Sequence, residues 1–164
     1  MVPQVLTRSV DREEEKIFHF SLQGSLPLGH ALVLNTTFGT LLYLEVSDPF
    51  MPRLVRQEQF TQTEMSVLLP LLEFFPYHCP YEILYASFYK DGKVSEADIA
   101  DARRYLDEVE EGGAWDREIR PVRCALSRAR LKIRSFGVDI SSILSTGYVL
   151  VVIQDKSLKR GIVL

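Results

Sequence analysis

The chain reads as an α+β protein: an antiparallel sheet comes first, a set of helices follows, and a hairpin closes the order. Three observations predict this. Residues 16–59 hold short apolar runs separated by turn-forming Gly, Pro, Asn and Asp. Residues 60–135 change to an apolar period of three to four, with capping residues ahead of the runs. Residues 138–153 return to strand-like composition around a short polar turn.

Each element follows from its residues. KIFHFSL (16–22) alternates, with Phe18, Phe20 and Leu22 on one face and Ile17, His19 and Ser21 on the other, which is the period of a strand. QGSLPLG is a turn-rich link. ALVLN (31–35) and TLLYLEV (40–46) flank TTFG, the pattern of a β-hairpin with a four-residue loop. DPFMP (48–52) interrupts the sheet and RLVRQ (53–57) adds a short strand. FTQTEMSVLLPLLEFFP (60–76) is a helix. Thr61 and Glu64 form a capping box, and apolar residues at 65, 68, 69, 72 and 75 share a face. Pro70 within it predicts a kink or a lost hydrogen bond, and Pro76 ends it.

CPYEILYASFY (79–89) starts a second helix, with Pro80 at its first position. Ser95 and Asp98 cap an acidic helix that Gly112 and Gly113 stop. Its stripe of Ile99, Ala102, Leu106 and Val109 is narrow, as in a two-helix seam. It is expected to seat on the N-terminal sheet or on a second copy of the chain, as a separable insertion. Trp115 is expected to anchor this inserted segment to the core. A further helix over about 121–135 has Pro121 at its first position and buries Val122, Leu126, Ala129 and Ile133. Arg123, Ser127, Arg130 and Arg134 form a parallel stripe, with Arg128 and Lys132 on the far side of the exposed surface. Gly137 stops the helix. VDISSIL (138–144) and GYVLVVI (147–153) make a hairpin, and QDKSLKRGIVL supplies a tail or one more strand. The chain therefore divides into a sheet region (1–58), a helical domain (59–154) with an insert at about 91–118, and a tail (155–164).

Charge is polarised along the chain. The net formal charge is −3, yet residues 1–118 carry ten basic and twenty acidic side chains, while residues 119–164 carry nine basic and two acidic. PVRCALSRARLKIRSFG (121–137) holds five basic residues and no acidic one. A concentrated basic surface attracts polyanions even on an acidic protein. Cys79 and Cys124 lie far apart without metal-ligand spacing, which predicts a reduced, cytoplasmic protein. No apolar run reaches membrane-spanning length, and the N-terminus lacks the apolar core of a signal peptide.

Catalysis is not expected. His19, His30 and His78 are scattered. His78–Cys79 has no second pair at ligand spacing, and no glycine loop suits a phosphate. Asp98, Asp101, Glu108 and Glu111 read as a solvated helix face. No metal and no cofactor is predicted.

The order of helix, turn, helix, basic helix and hairpin is that of a winged helix-turn-helix, and three motifs resemble one family. FTQTEMSVLLPLLEFFP is similar to the first-helix pattern LTxxExxLLxxLxxxP of OmpR/PhoB-type response-regulator effector domains. VRCALSRARLKI resembles their recognition helix, VxxxISRLRxKL, and STGYVL resembles their wing closure, GxGYRL. The resemblance covers about residues 50–153, broken at 90–118. It implies sequence-specific binding to double-stranded DNA by a transcription regulator, with RNA polymerase and a second copy of the chain as further partners. It implies that Arg120 and Arg130 hold phosphates, and that Arg123, Ser127 and Arg128 face base edges. Ser142 and Thr146 on the wing would touch the backbone, and Lys132 and Arg134 complete the DNA-binding set.

Two departures stand out. The segment before Thr61 is shorter than the family's receiver domain, so control by phosphorylation is expected to be absent. Leu144 stands where the family's wing carries an arginine. That substitution favours the alternative, a winged-helix module that docks on an acidic protein and not on DNA.

Overall fold

The computed structural model describes residues 17–46, 51–90 and 93–153. Its first layer is a four-stranded antiparallel meander of β1 (Ile17–Phe20), β2 (His30–Asn35), β3 (Thr40–Glu45) and β4 (Arg53–Gln59), paired in chain order. Phe18 lies opposite Leu34, and Leu34 opposite Leu41, so the alternation read from the sequence sets the core-facing row. The loop between β2 and β3 is closed by Asn35, whose Oδ1 accepts from the N–H groups of Thr37 and Phe38 at 3.0 and 3.1 Å. At Gly39 the chain takes φ +69°, and a Cβ there would lie 2.6 Å from the Phe60 carbonyl oxygen. Only glycine lets this loop touch the start of the first helix, where the Phe60 N–H donates to the Gly39 carbonyl at 2.7 Å.

Helix α1 (Gln62–Phe74) begins with the expected capping box. Thr61 Oγ1 accepts from the Glu64 N–H at 3.3 Å, and Glu64 Oε2 accepts from the Thr61 N–H at 2.9 Å. Pro70 does not break the helix. It has no N–H for the Ser66 carbonyl, and the Ser87 hydroxyl donates to that carbonyl instead at 2.5 Å. The lost bond is thus replaced from a neighbouring helix. The buried face differs from the expected one: Val67 and Leu71 are as enclosed as Met65, Leu68 and Leu72, while Leu69 and Phe75 are only half-buried, because α1 packs on helices on one side and on the hairpin on the other.

Cys79–Pro80 forms a two-residue strand, β5, so Pro80 caps helix α2 (Tyr81–Tyr89) from outside and does not occupy its first turn. Helix α3 (Glu96–Glu111) carries the Ser95/Asp98 capping box. Its stripe is not offered to the N-terminal sheet. Ala102 and Leu106 are buried, and α3 packs on α2 and on the helix that follows. The seam is therefore closed within the chain, and Leu106 belongs to the common core.

That next helix, α4, spans Trp115–Ile133 and begins six residues before the expected Pro121. Burial decides the start: Ile119 is fully enclosed, and Trp115 packs edge-to-face on Tyr81 with ring centroids 5.2 Å apart. Trp115 thus holds the inserted segment to the core as expected. A 3-10 turn over Arg134–Phe136 leads through Gly137 to β6 (Val138–Ile143) and β7 (Gly147–Val152). β5 and β6 flank β7 in a three-stranded antiparallel sheet. A Cβ on Gly147 would fall 2.0 Å from the Cys79 carbonyl oxygen, which is why this position carries no side chain. Side chains from the first sheet, all four helices and the hairpin make one contiguous core. The expected C-terminal strand at 154–164 lies outside the described residues.

Candidate nucleic-acid interface

The candidate site is built on α4 and the hairpin that follows it. The helix is positioned by its buried ridge of Ile119, Val122, Ala125, Leu126, Ala129 and Ile133, set against α1, α2 and β6. Burying that ridge turns the opposite face to solvent, and between residues 119 and 134 this exposed face carries no carboxylate.

The cations between residues 119 and 134 fall into two groups. The first group is held by carboxylates. Arg130 makes a two-pronged contact to Asp139 on β6, Nε to Oδ1 at 2.7 Å and Nη2 to Oδ2 at 3.2 Å. Arg134 approaches the same carboxylate at 4.0 Å. The hydrogen bond from Arg130 holds the Asp139 carboxyl below its ordinary pKa, against the opposing effect of burial. Arg123 donates to Asp116 at 3.1 Å, two turns before the Arg130 pair on the same flank of the helix. Burial works against the charge of Arg123, but hydrogen bonds to Tyr81 and Asp116 outweigh it and raise its pKa.

Lys132 is held most firmly. Its ammonium donates to Glu64 Oε2 at 2.7 Å and to the Gln59 carbonyl at 2.8 Å, and it lies 5.4 Å from the Phe60 ring centroid. Glu64 is 3% exposed. Burial alone would raise the Glu64 pKa, yet the bonds from Lys132 and Thr61 outweigh it and bring the value down. Lys132 thus lies on the same side of α4 as Arg128, but its ammonium is taken by Glu64 and locks α4 onto the start of α1.

The second group is free. Arg120 and Arg128 are exposed, and no carboxylate among the described residues pairs with either. They border a shallow groove of about 340 Å³ with Thr63, Phe88, Pro121 and Cys124. Ser127 is exposed between the two groups. Ser142 lies on β6 beside Arg123, in a cleft of about 490 Å³ whose other walls include Tyr81, Trp115, Tyr148 and Glu110. Thr146 is exposed, but its hydroxyl donates to the Leu144 carbonyl at 3.0 Å and tightens the turn. Leu144 at the hairpin tip is 92% exposed.

Helix α3 brings one carboxylate to this face, Glu110 in the cleft beside Arg123 and Ser142, and its ion pairs lie elsewhere. Its ion pairs run to α2 and its flanking loop (Arg103 with Glu82, Asp98 with Lys90) and within itself (Arg104 with Asp101). Lys90 draws the Asp98 carboxyl down to about 2, helped by the Ser95 cap. The structure thus brings Arg123, Arg130, Arg134 and Ser142 onto the hairpin side, leaves Arg120 and Ser127 facing outward, and turns Arg128 toward the groove bordered by Phe88. Sequence reasoning missed Asp139 as the common counter-ion. One available signal was that Asp139 is the sole acidic residue between 119 and 153.

Comparison with known proteins returned no match to any family model, any curated protein or any solved structure. Among the described residues, no helix is long and apolar enough to cross a membrane.

Proposed function

We propose that this chain binds double-stranded DNA in a sequence-specific way, as a transcription regulator of the winged helix-turn-helix kind. In this reading α4 enters the major groove and the β6–β7 hairpin is the wing. The observation that carries it is the exposed face of α4 from residue 119 onward, which holds no carboxylate and is followed at once by a hairpin that packs beside it. The chain order of sheet, α1, β5, α2, α4 and hairpin, with α3 inserted, adds support, as do the three motifs that resemble OmpR/PhoB-type effector domains. Binding needs only side-chain hydrogen bonding, so the reading involves no catalytic residue, metal or cofactor. RNA polymerase and a second copy of the chain come with the resemblance, and a cytoplasmic location with the two widely spaced cysteines.

A second reading is favoured by one observation. Arg123, Arg130, Arg134 and Lys132 are already paired, and the hairpin tip is an exposed leucine. A protein-docking module would look the same at these positions.

Salt dependence separates the two readings. A duplex enriched from a randomised pool should lose about 150-fold in affinity between 50 and 200 mM salt if about four phosphates are contacted. Fluorescence anisotropy of that labelled duplex reads it. Failure to enrich any duplex, or an affinity independent of salt, would overturn the DNA reading.

A further inference from the structure

The outward ridge of α4 carries a second pattern that charge alone does not explain. The buried ridge includes Val122, Leu126, Ala129 and Ile133. Two residues earlier in each case stand Arg120, Cys124, Ser127 and Leu131, about 200° around the helix. All four are exposed, and Leu131 is 75% exposed. This ridge is the part of α4 farthest from the core. Beyond Arg120 it is uncharged. The arginines lie on its flanks: Arg123, Arg130 and Arg134 toward the hairpin, Arg128 toward the groove bordered by Phe88.

A helix in the major groove of B-DNA turns its outermost ridge to the base edges and its flanks to the two phosphate backbones. Charged flanks around an uncharged ridge match that division. A protein surface can meet an uncharged centre with a charged rim as well, so the choice of DNA as occupant comes from the DNA-binding reading. A single exposed leucine is ordinary on a protein surface. Here it stands in a row with Cys124 and Ser127, where a groove floor would meet it. The base-edge group with which an apolar side chain makes favourable contact is the thymine 5-methyl.

We infer that Leu131, with Cys124 one ridge position removed from Ser127, reads thymine methyl groups on the groove floor, while Arg123 and Arg128 serve the flanks. The inference rests on the DNA-binding reading and deepens it. It moves base recognition from Arg123 and Arg128 to the uncharged ridge, with Ser127 kept as a base-edge contact.

The test uses the full chain and the duplex most enriched from a randomised pool, prepared once with thymine and once with uracil at single positions. Uracil keeps every hydrogen-bonding group and lacks only the methyl. At one or more positions, uracil should weaken the wild-type complex about fourfold for each methyl group the helix covers. In Leu131→Ala the same change should have no effect at the position that Leu131 reads. Circular dichroism and thermal unfolding of Leu131→Ala should match wild type, because so exposed a side chain adds little to the core. Equal affinity of wild type for thymine and uracil at every position would overturn the inference while leaving DNA binding intact. Equal uracil penalties in wild type and Leu131→Ala would overturn the assignment to Leu131. No enriched duplex at all would overturn the DNA reading and this inference with it.

Discussion

Replacing Lys132 by methionine should uncouple the two roles that α4 combines. The perturbation keeps the aliphatic stem and removes the ammonium, which bonds Glu64 at 2.7 Å and the Gln59 carbonyl at 2.8 Å. Glu64 is then left as a carboxylate at 3% exposure, with the Thr61 cap as its remaining partner. Removing one partner of a fully buried pair costs about 3–5 kcal/mol. The Lys132 side chain is 31% exposed, so water already screens part of the pair and can partly replace it. An expected loss of about 2 kcal/mol follows. With a urea dependence near 2 kcal/mol per molar, the unfolding midpoint falls by about 1 M at pH 7.

The pH dependence has a definite sign. In the wild type the Glu64 pKa lies below its ordinary value, so its contribution is present above that value and is lost as pH falls through the folded pKa. In Lys132→Met burial is opposed by the Thr61 bonds alone, so the folded pKa rises from its wild-type position. The variant's deficit should therefore shrink between pH 7 and pH 4. Urea titrations at both pH values, followed by circular dichroism, measure it. A variant as stable as wild type at pH 7, or one equally impaired at both pH values, would refute the argument.

Three further outcomes are expected. Arg128→Ala, which removes an unpaired exposed cation, should leave stability within about 0.5 kcal/mol of wild type and reduce the slope of log affinity against log salt by about 1; thermal unfolding and anisotropy check the two parts. Ser87→Ala should cost about 1 kcal/mol because the Ser66 carbonyl loses its donor, and much less in a Pro70→Ala background, where the residue-70 N–H takes that carbonyl; a double-mutant cycle in urea measures the difference. Gly147→Ala should cost more than about 2 kcal/mol, since its Cβ meets the Cys79 backbone carbonyl and neither strand can yield without breaking the β5–β7 pair; the thermal midpoint reports it.

Much of the fold was legible in the residues because its signals are local. Thr61 with Glu64 and Ser95 with Asp98 are three apart, and each pair satisfies its own backbone without help from elsewhere. The four-residue loop after Asn35 is closed by the Asn35 side chain itself. The ridge of Val122, Leu126, Ala129 and Ile133 follows from helical period, and so do its basic flank and its outward row.

What the tertiary structure decided involves partners far apart in the chain. A proline at position 121 signals a helix start, yet α4 begins at Trp115, because Tyr81 and the core reward burial of Trp115 and Ile119 more than the proline costs. No periodicity says whether a basic residue is free or paired. Lys132 meets Glu64 from 68 positions away, and Arg130 meets Asp139 only because β6 runs back beside α4. Sequence determined where cations could stand. Packing determined which of them were already answered by a carboxylate, because an ion pair forms only where two elements are brought within about 4 Å of each other, and that approach is set by the apolar faces beneath them.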